Sequence, residues 1–124
     1  MDSASISIIG EGEKKIAHVS SGSPILKDGQ SALDLLATLN YNYDCTRMAI
    51  DKASVSEEFF RLGTGVAGEV TQKFVNYGCK AAIIGDFSGY KSKPLKDFIY
   101  ESNNGLILFF VSTLEEAVQR LGKA

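Results

Sequence analysis

The stretch Lys80-Ala-Ala-Ile-Ile-Gly85 decides how this chain is read. A strand with one wet face alternates apolar and polar residues, whereas a strand covered on both faces is apolar throughout. Ala81 to Ile84 do not alternate, so residues 80–85 predict a central strand of a parallel sheet. The flanks agree. Just upstream, Ala67, Val70, Phe74 and Tyr77 follow helical spacing and predict a helix over 66–77, with Gly78 as its left-handed stop. Downstream, Ser92 is placed to cap a helix with Pro94 in its first turn, where a missing N–H costs nothing. Leu95, Phe98 and Ile99 form its apolar side, and Asn103-Asn104-Gly105 ends it.

The alternation extends to both ends of the chain. Leu106 to Val111 predicts a last strand. Ser112-x-x-Glu115 and Thr113-x-x-Glu116 then offer overlapping capping boxes for a final helix, on which Leu114, Ala117, Val118 and Leu121 share one side. Toward the N-terminus, Arg47 to Asp51 reads as a short apolar strand. It leads into a capping-box pattern at Ser54-x-x-Glu57 and a turn carrying Phe59, Phe60 and Leu62, interrupted by Gly63-Thr64-Gly65. Asp28 can cap a helix running to about Asn40, with Ala32, Leu33, Leu36 and Ala37 along one side and Leu35 and Leu39 widening it. Ser5 to Ile9 and Lys14 to Val19 predict an opening hairpin around Gly10 to Glu13, with the first strand at a sheet edge. The order β-β-α-β-α-β-α-β-α predicts a single α/β domain over residues 1–124, with a mixed, largely parallel sheet and helices packed on it.

Composition narrows the function classes. A chain of 124 residues suits one core, and 44% hydrophobic with 23% charged residues is ordinary for a folded domain. A net charge of −2 argues against a nucleic-acid partner, since phosphate binding asks for a basic surface. The longest apolar run, Leu106 to Val111, is far too short to span a bilayer, so no membrane partner is expected. The polar opening Met1-Asp2-Ser3-Ala4-Ser5 lacks the layout of a signal peptide, and a cytoplasmic location follows. There Cys45 and Cys79, each just before a strand, read as buried thiols. With one histidine, His18, and no Cys-x-x-Cys, neither a metal site nor a cofactor is expected.

The candidate chemistry lies where parallel strands end, because ligands of open α/β sheets bind beyond the carboxyl ends of the strands. Those ends bring forward Asp51, Lys52 and Ser54, then Asp86 and Ser88. The aromatic-rich turn adds Phe59 and Phe60 beside Thr64, with Tyr90 across the way. Together these nine residues form the expected ligand or partner surface, with Phe87 and Tyr100 as further aromatics for it. Gly63-Thr-Gly-Val-Ala-Gly68 is a glycine-rich helix start, but no Gly-Lys-Ser/Thr follows, so it is no phosphate loop. Gly68 is expected to allow a close helix approach instead. Lys91, Lys93 and Lys96 crowd the third helix start and read as a solvated face with Asp97 nearby. No Ser-His-Asp or Cys-His set can be assembled from His18, and no catalytic residue is assigned.

Ser56-Glu-Glu-Phe-Phe-Arg-Leu-Gly-Thr-Gly-Val-Ala-Gly-Glu69, Gln72-Lys-Phe-Val-Asn-Tyr77, Ile84-Gly-Asp-Phe-Ser88 and Asp97-Phe-Ile-Tyr-Glu-Ser-Asn103 resemble a bacterial family known only as domain of unknown function 4180. The likeness runs from about Ile6 to Leu121 and implies no activity. The element order is also similar to the STAS domain of anti-sigma-factor antagonists. In that family, a strand ending in Asp leads to an Asp-Ser-x-Gly segment whose serine is phosphorylated to switch partner binding. Met48 to Asp51 resembles that strand and Gly65 the motif glycine. Leu62, Gly63 and Thr64 stand where the motif has its aspartate and serine, and by proximity alone the resemblance implies Thr64 as the phospho-acceptor. The resemblance implies a STAS-like, non-enzymatic regulatory or protein-interaction module, binding another protein or itself. The alternatives are a sensor of a small ligand, nucleotide or anion at the strand ends, and an uncharacterised enzyme built on Asp51, Lys52, Asp86 and Glu69.

Overall fold

A computed structural model describes residues 4–124; Met1, Asp2 and Ser3, which open the polar N-terminal stretch, lie outside the described residues. The strands are β1 (Ser5–Ile9), β2 (Ile16–Ser20), β3 (Arg47–Asp51), β4 (Lys80–Ile84) and β5 (Leu108–Val111). The helices are α1 (Gly29–Tyr43), α2 (Val66–Asn76), α3 (Lys93–Asn103) and α4 (Leu114–Lys123). This is the predicted order. The sheet runs β1-β2-β3-β4-β5, with β1 antiparallel to β2 at one edge and the other three pairings parallel.

Strand order equal to chain order has a direct consequence. Crossovers that step in one direction with one hand must all pass over the same face. α1, α2 and α3 accordingly share one core with alternate strand residues, including Val19, Met48, Ile50, Ala81, Ile83 and Phe110. α4 alone covers the opposite face, against Ile16, Ala49, Ala82, Phe109 and Val111. Ala49 and Ala82 are fully buried there, and their small side chains let α4 lie close on the sheet. The unalternating stretch at 81–84 is thus explained: Ala81 and Ile83 enter the three-helix core, while Ala82 packs under α4 and Ile84 against that second core.

Local chemistry sets the helix ends. Asp28 accepts the Ser31 N–H at 2.8 Å while the Ser31 hydroxyl accepts the Asp28 N–H at 3.0 Å, closing a reciprocal cap. Hydrogen bonds from Ser31 hold the Asp28 carboxyl below the usual carboxylate range. The Glu69 carboxylate of α2 accepts the Gly29 N–H, putting negative charge at the positive end of α1. A Cβ on Gly29 would stand 2.6 Å from that carboxylate, so a larger residue there would push the Glu69 side chain off this bond. Gly78, at φ +65°, ends α2 as predicted, and Ser92 caps α3. For α4 Thr113 is the cap, accepting the Glu116 N–H at 3.1 Å, while Glu116 reaches one residue beyond it to accept the Ser112 N–H at 3.0 Å, a variant of the second predicted capping box. At its far end Arg47 donates to the carbonyls of Leu121 and Ala124, and also to that of Glu13 in the β1–β2 turn.

Four expectations shift. α1 runs to Tyr43 rather than about Asn40, ending at Asp44 in the left-handed conformation. β2 begins at Ile16 because Gly12–Lys14 form a 3-10 turn. β5 begins at Leu108, with Leu106 63% exposed in the preceding bend. Ser54-x-x-Glu57 is not a capping box: Ser56 caps the Glu57–Phe60 turn instead, because the Ser54 side chain is buried and used elsewhere.

Candidate functional site

The strand ends do gather the predicted residues, but mostly to hold one another. Between β3 and α2 the chain makes three 3-10 turns, Lys52–Ser54, Glu57–Phe60 and Leu62–Thr64. Ser54 is fully buried. Its hydroxyl accepts the Ser21 N–H at 2.8 Å, and its carbonyl accepts the N–H groups of Ile25 and Leu26. A Leu26–Val55 bridge completes this seam between the β2–α1 and β3–α2 connections.

Phe59 and Phe60 correct the predicted partner surface: they are 0% and 3% exposed. Phe110 explains why. It gathers Phe59, Phe87 and Phe98 at ring separations of 6.4, 5.2 and 6.0 Å, and Phe60 in turn meets Phe59, Phe87 and Tyr90 at 5.1, 5.9 and 5.1 Å. Aromatic pairs at such distances stabilise beyond the area they bury. The aromatic turn is therefore core, and truncating Phe59 to alanine would cost about 3–5 kcal/mol.

Lys52 lies against this cluster. Its ammonium stands 5.1 Å from the Tyr90 ring centre and 5.5 Å from that of Phe60, with Glu57 Oε1 at 3.8 Å. The Tyr90 hydroxyl donates to the Glu57 carboxylate, 3.1 and 3.2 Å from its two oxygens. Burial pushes that hydroxyl above the usual phenol range against the pull of the Lys52 ammonium, so Tyr90 remains a hydrogen-bond donor at neutral pH. Gly85 makes room, since a Cβ there would stand 2.6 Å from the Lys52 Cβ. The group of Lys52, Glu57, Phe60 and Tyr90 latches the β3–α2 connection to the β4–α3 loop.

Asp86, Ser88 and Thr64 are exposed turn formers, whereas Asp51 is a half-buried residue at the end of β3. The Asp86 carboxylate accepts the Ser88 hydroxyl at 2.6 Å and N–H at 2.9 Å, which holds its carboxyl below the usual range. The Thr64 hydroxyl lies 2.8 and 2.9 Å from the carbonyls of Glu58 and Arg61 and organises the turn before α2. Gly68 faces solvent, and a Cβ added there would meet nothing within 4 Å, so this glycine does not serve helix contact. Lys93 pairs with Asp97 at 2.8 Å on the solvated start of α3, as expected. Among the described residues, no group of three or more His, Cys, Asp or Glu is placed to hold a metal ion.

Two features escape sequence reasoning. The first is a pair, His18 Nε2 to Asp51 Oδ1 at 3.0 Å. His18 stands opposite Ala49, so Asp51, two residues on, shares its face. Only the register could have joined them. The second is an open groove of about 510 Å³ between α1 and the end of α2, lined by Leu33, Leu36, Ala37, Tyr41, Tyr77 and Cys79 with Asp34 and Asn40. Tyr41 is 91% exposed and Tyr77 60%. Helical spacing puts Tyr77 on the buried stripe of α2, but that helix ends at Asn76 and turns it outward. Tyr41 lies one residue beyond the predicted end of α1, and so outside the pattern that the spacing reads. Asp34 is the one charged residue among the described residues of this lining, and Asp44 caps the C-terminal end of α1 beyond Tyr41. Both cysteines are buried and free, and burial pushes the Cys79 thiol up.

The fold defines a mixed α/β domain with three helices on one face of a five-stranded sheet and one on the other. The chain belongs to the family described as domain of unknown function 4180, whose model matches residues 11–121. No curated protein matches it. Among the described residues no helix is long and apolar enough to cross a membrane.

Proposed function

We propose that this protein is a non-enzymatic interaction module, regulatory in the manner of STAS-like domains, and that it docks a protein partner in the groove between α1 and α2. The observation that carries this reading is the pair of exposed tyrosines, Tyr41 and Tyr77, at an apolar groove floored by Leu36 and Cys79. Large apolar surfaces left in contact with water mark interfaces, and tyrosine is among the side chains that carry most binding energy in them. Asp34 in the groove, with Asp44 at the negative C-terminal end of α1, favours a partner segment with an apolar side chain flanked by lysine or arginine. At the strand ends, by contrast, Lys52, Glu57 and Tyr90 satisfy one another, which supports a binding role over acid–base chemistry there. Two buried free thiols suit a reducing cytoplasm.

The test is site-specific photo-crosslinking in the native host from positions 41 and 77, with exposed Tyr100 on α3 as the control. One protein should be captured from the groove positions and not from position 100. That protein, purified, should bind the Tyr41→Ala variant at least about tenfold more weakly, the loss expected for one interface aromatic. Equal capture from all three positions, or equal affinity of the variant, would discard the groove as the docking site.

A further inference from the structure

The two edges of the sheet are finished differently. At the β5 edge the Phe110 N–H donates to Asn103 Oδ1 at 2.7 Å, and Asn103 Nδ2 donates to the Phe110 carbonyl at 3.3 Å. One carboxamide thus exchanges both hydrogen bonds that a neighbouring strand would make. Arg120 holds this plug: its guanidinium donates to the Asn103 carbonyl and lies 4.6 Å from the Phe109 ring centre.

The β1 edge has no such device. Among the described residues no side chain hydrogen-bonds to the backbone of Ser5–Ile9. The strand Ser5-Ile-Ser-Ile-Ile9 carries no charge, no proline and no positive-φ residue within it. Charges, proline and kinks are features by which natural edge strands avoid pairing with other chains, and without them β1 presents a neutral outward ladder of N–H and C=O groups that have no partner among the described residues.

We propose that β1 pairs antiparallel with β1 of a second copy of this chain, joining two five-stranded sheets into one. The strand is self-complementary about Ser7. With Ser7 opposite Ser7 of the second copy, Ile6 falls opposite Ile8 and Ser5 opposite Ile9, and each residue keeps its own sheet face. No like charges meet. The Ile6–Ile8 pairs fall on the α1 side, where Ile8 is 38% exposed and an open groove of about 490 Å³, lined by Ile6, Ile25 and Leu35, runs beside the strand. Burying isoleucine there adds an apolar contribution to the backbone ladder. A ladder of this length makes a small interface, so the dimer has a Kd of roughly micromolar order. This surface is separate from the α1–α2 groove, and either can fail without the other.

Sedimentation equilibrium of the whole chain reads the association, and cysteine cross-linking reads the register. Paired Cα atoms across antiparallel strands lie about 4.5–5.5 Å apart, within disulfide reach. Under mild oxidation Ser7→Cys should give a covalent dimer. Ser5→Cys should not, because in this register the two copies of residue 5 stand about 13 Å apart along the ladder. Buried Cys45 and Cys79 stay out of the reaction. Ile8→Lys should sediment as a monomer with an unchanged far-ultraviolet circular dichroism spectrum. A wild type that stays monomeric well above micromolar concentration, cross-linking of Ser5→Cys as readily as Ser7→Cys, or a dimer that dissolves in Tyr41→Ala and not in Ile8→Lys would each overturn the proposal.

Discussion

β5 and β1 are the two outer strands of one sheet, yet they meet solvent in opposite ways. All four residues of β5 are buried, and its outward backbone groups at Phe110 are taken by Asn103. β1 has three of five residues exposed and an outer backbone that nothing among the described residues covers. The lesson is that a sheet edge is a chemical decision: a side chain that imitates a strand closes one end, and a neutral run of serine and isoleucine leaves the other open. If that contrast is right, perturbing the closed edge should damage the fold, and perturbing the open edge should leave the fold intact.

Among substitutions at the two edges, the largest effect is expected for Asn103→Ala. It strips partners from the N–H and C=O of Phe110, a residue 6% exposed, and buried backbone groups without partners are expensive. A loss of about 2–3 kcal/mol should appear as a lower urea midpoint, accompanied by association through the newly opened β5 edge. In hydrogen exchange the Phe110 amide should be protected in the wild type at every concentration and lose protection in this variant. Undiminished stability would mean that the carboxamide plug is ornamental and the contrast between edges false.

A smaller effect is expected for Arg120→Lys. The ammonium keeps the charge but loses the flat contact with Phe109 and the directed bond to the Asn103 carbonyl. About 1 kcal/mol of stability should go, measurable by the same unfolding curve, while Phe110 protection falls only in part. The smallest effect is expected at the open edge. In dilute solution Ile8→Lys should change unfolding stability by less than about 0.5 kcal/mol, as for surface positions generally. A large loss there would show that β1 already supports the monomer core.

The strands and helices are legible in the sequence because periodicity reports burial directly. Residues 81–84 read as doubly covered, and they are, since one alternate set faces three helices and the other faces α4. Caps at Asp28, Ser92 and Thr113 are legible because their side chains bond only three residues away. Features that depend on register or on distant chain are not. Nothing local to Asn103 says that it will meet Phe110, and nothing local to His18 says that it will meet Asp51. The predicted site fails in part for the same reason. Phe59 and Phe60 sit in a polar turn and read as a display surface, but Phe110, about fifty residues on, draws them inside. Tyr41 escapes notice because an error of a few residues in a helix end decides whether a side chain is counted at all.

The sequential strand order has a consequence for how the molecule is made. Each parallel strand docks beside the one synthesised just before it, so the emerging polypeptide can grow its sheet in one direction with no earlier strand waiting for a later neighbour. The exception is the second face. Ala49, Ala82 and Phe109 are laid down well before α4 exists, and the ribosome must finish the last ten-residue helix before anything shields them. A chain clipped before α4 would present that bare apolar strip to chaperones and proteases, so α4 is what shields the second face.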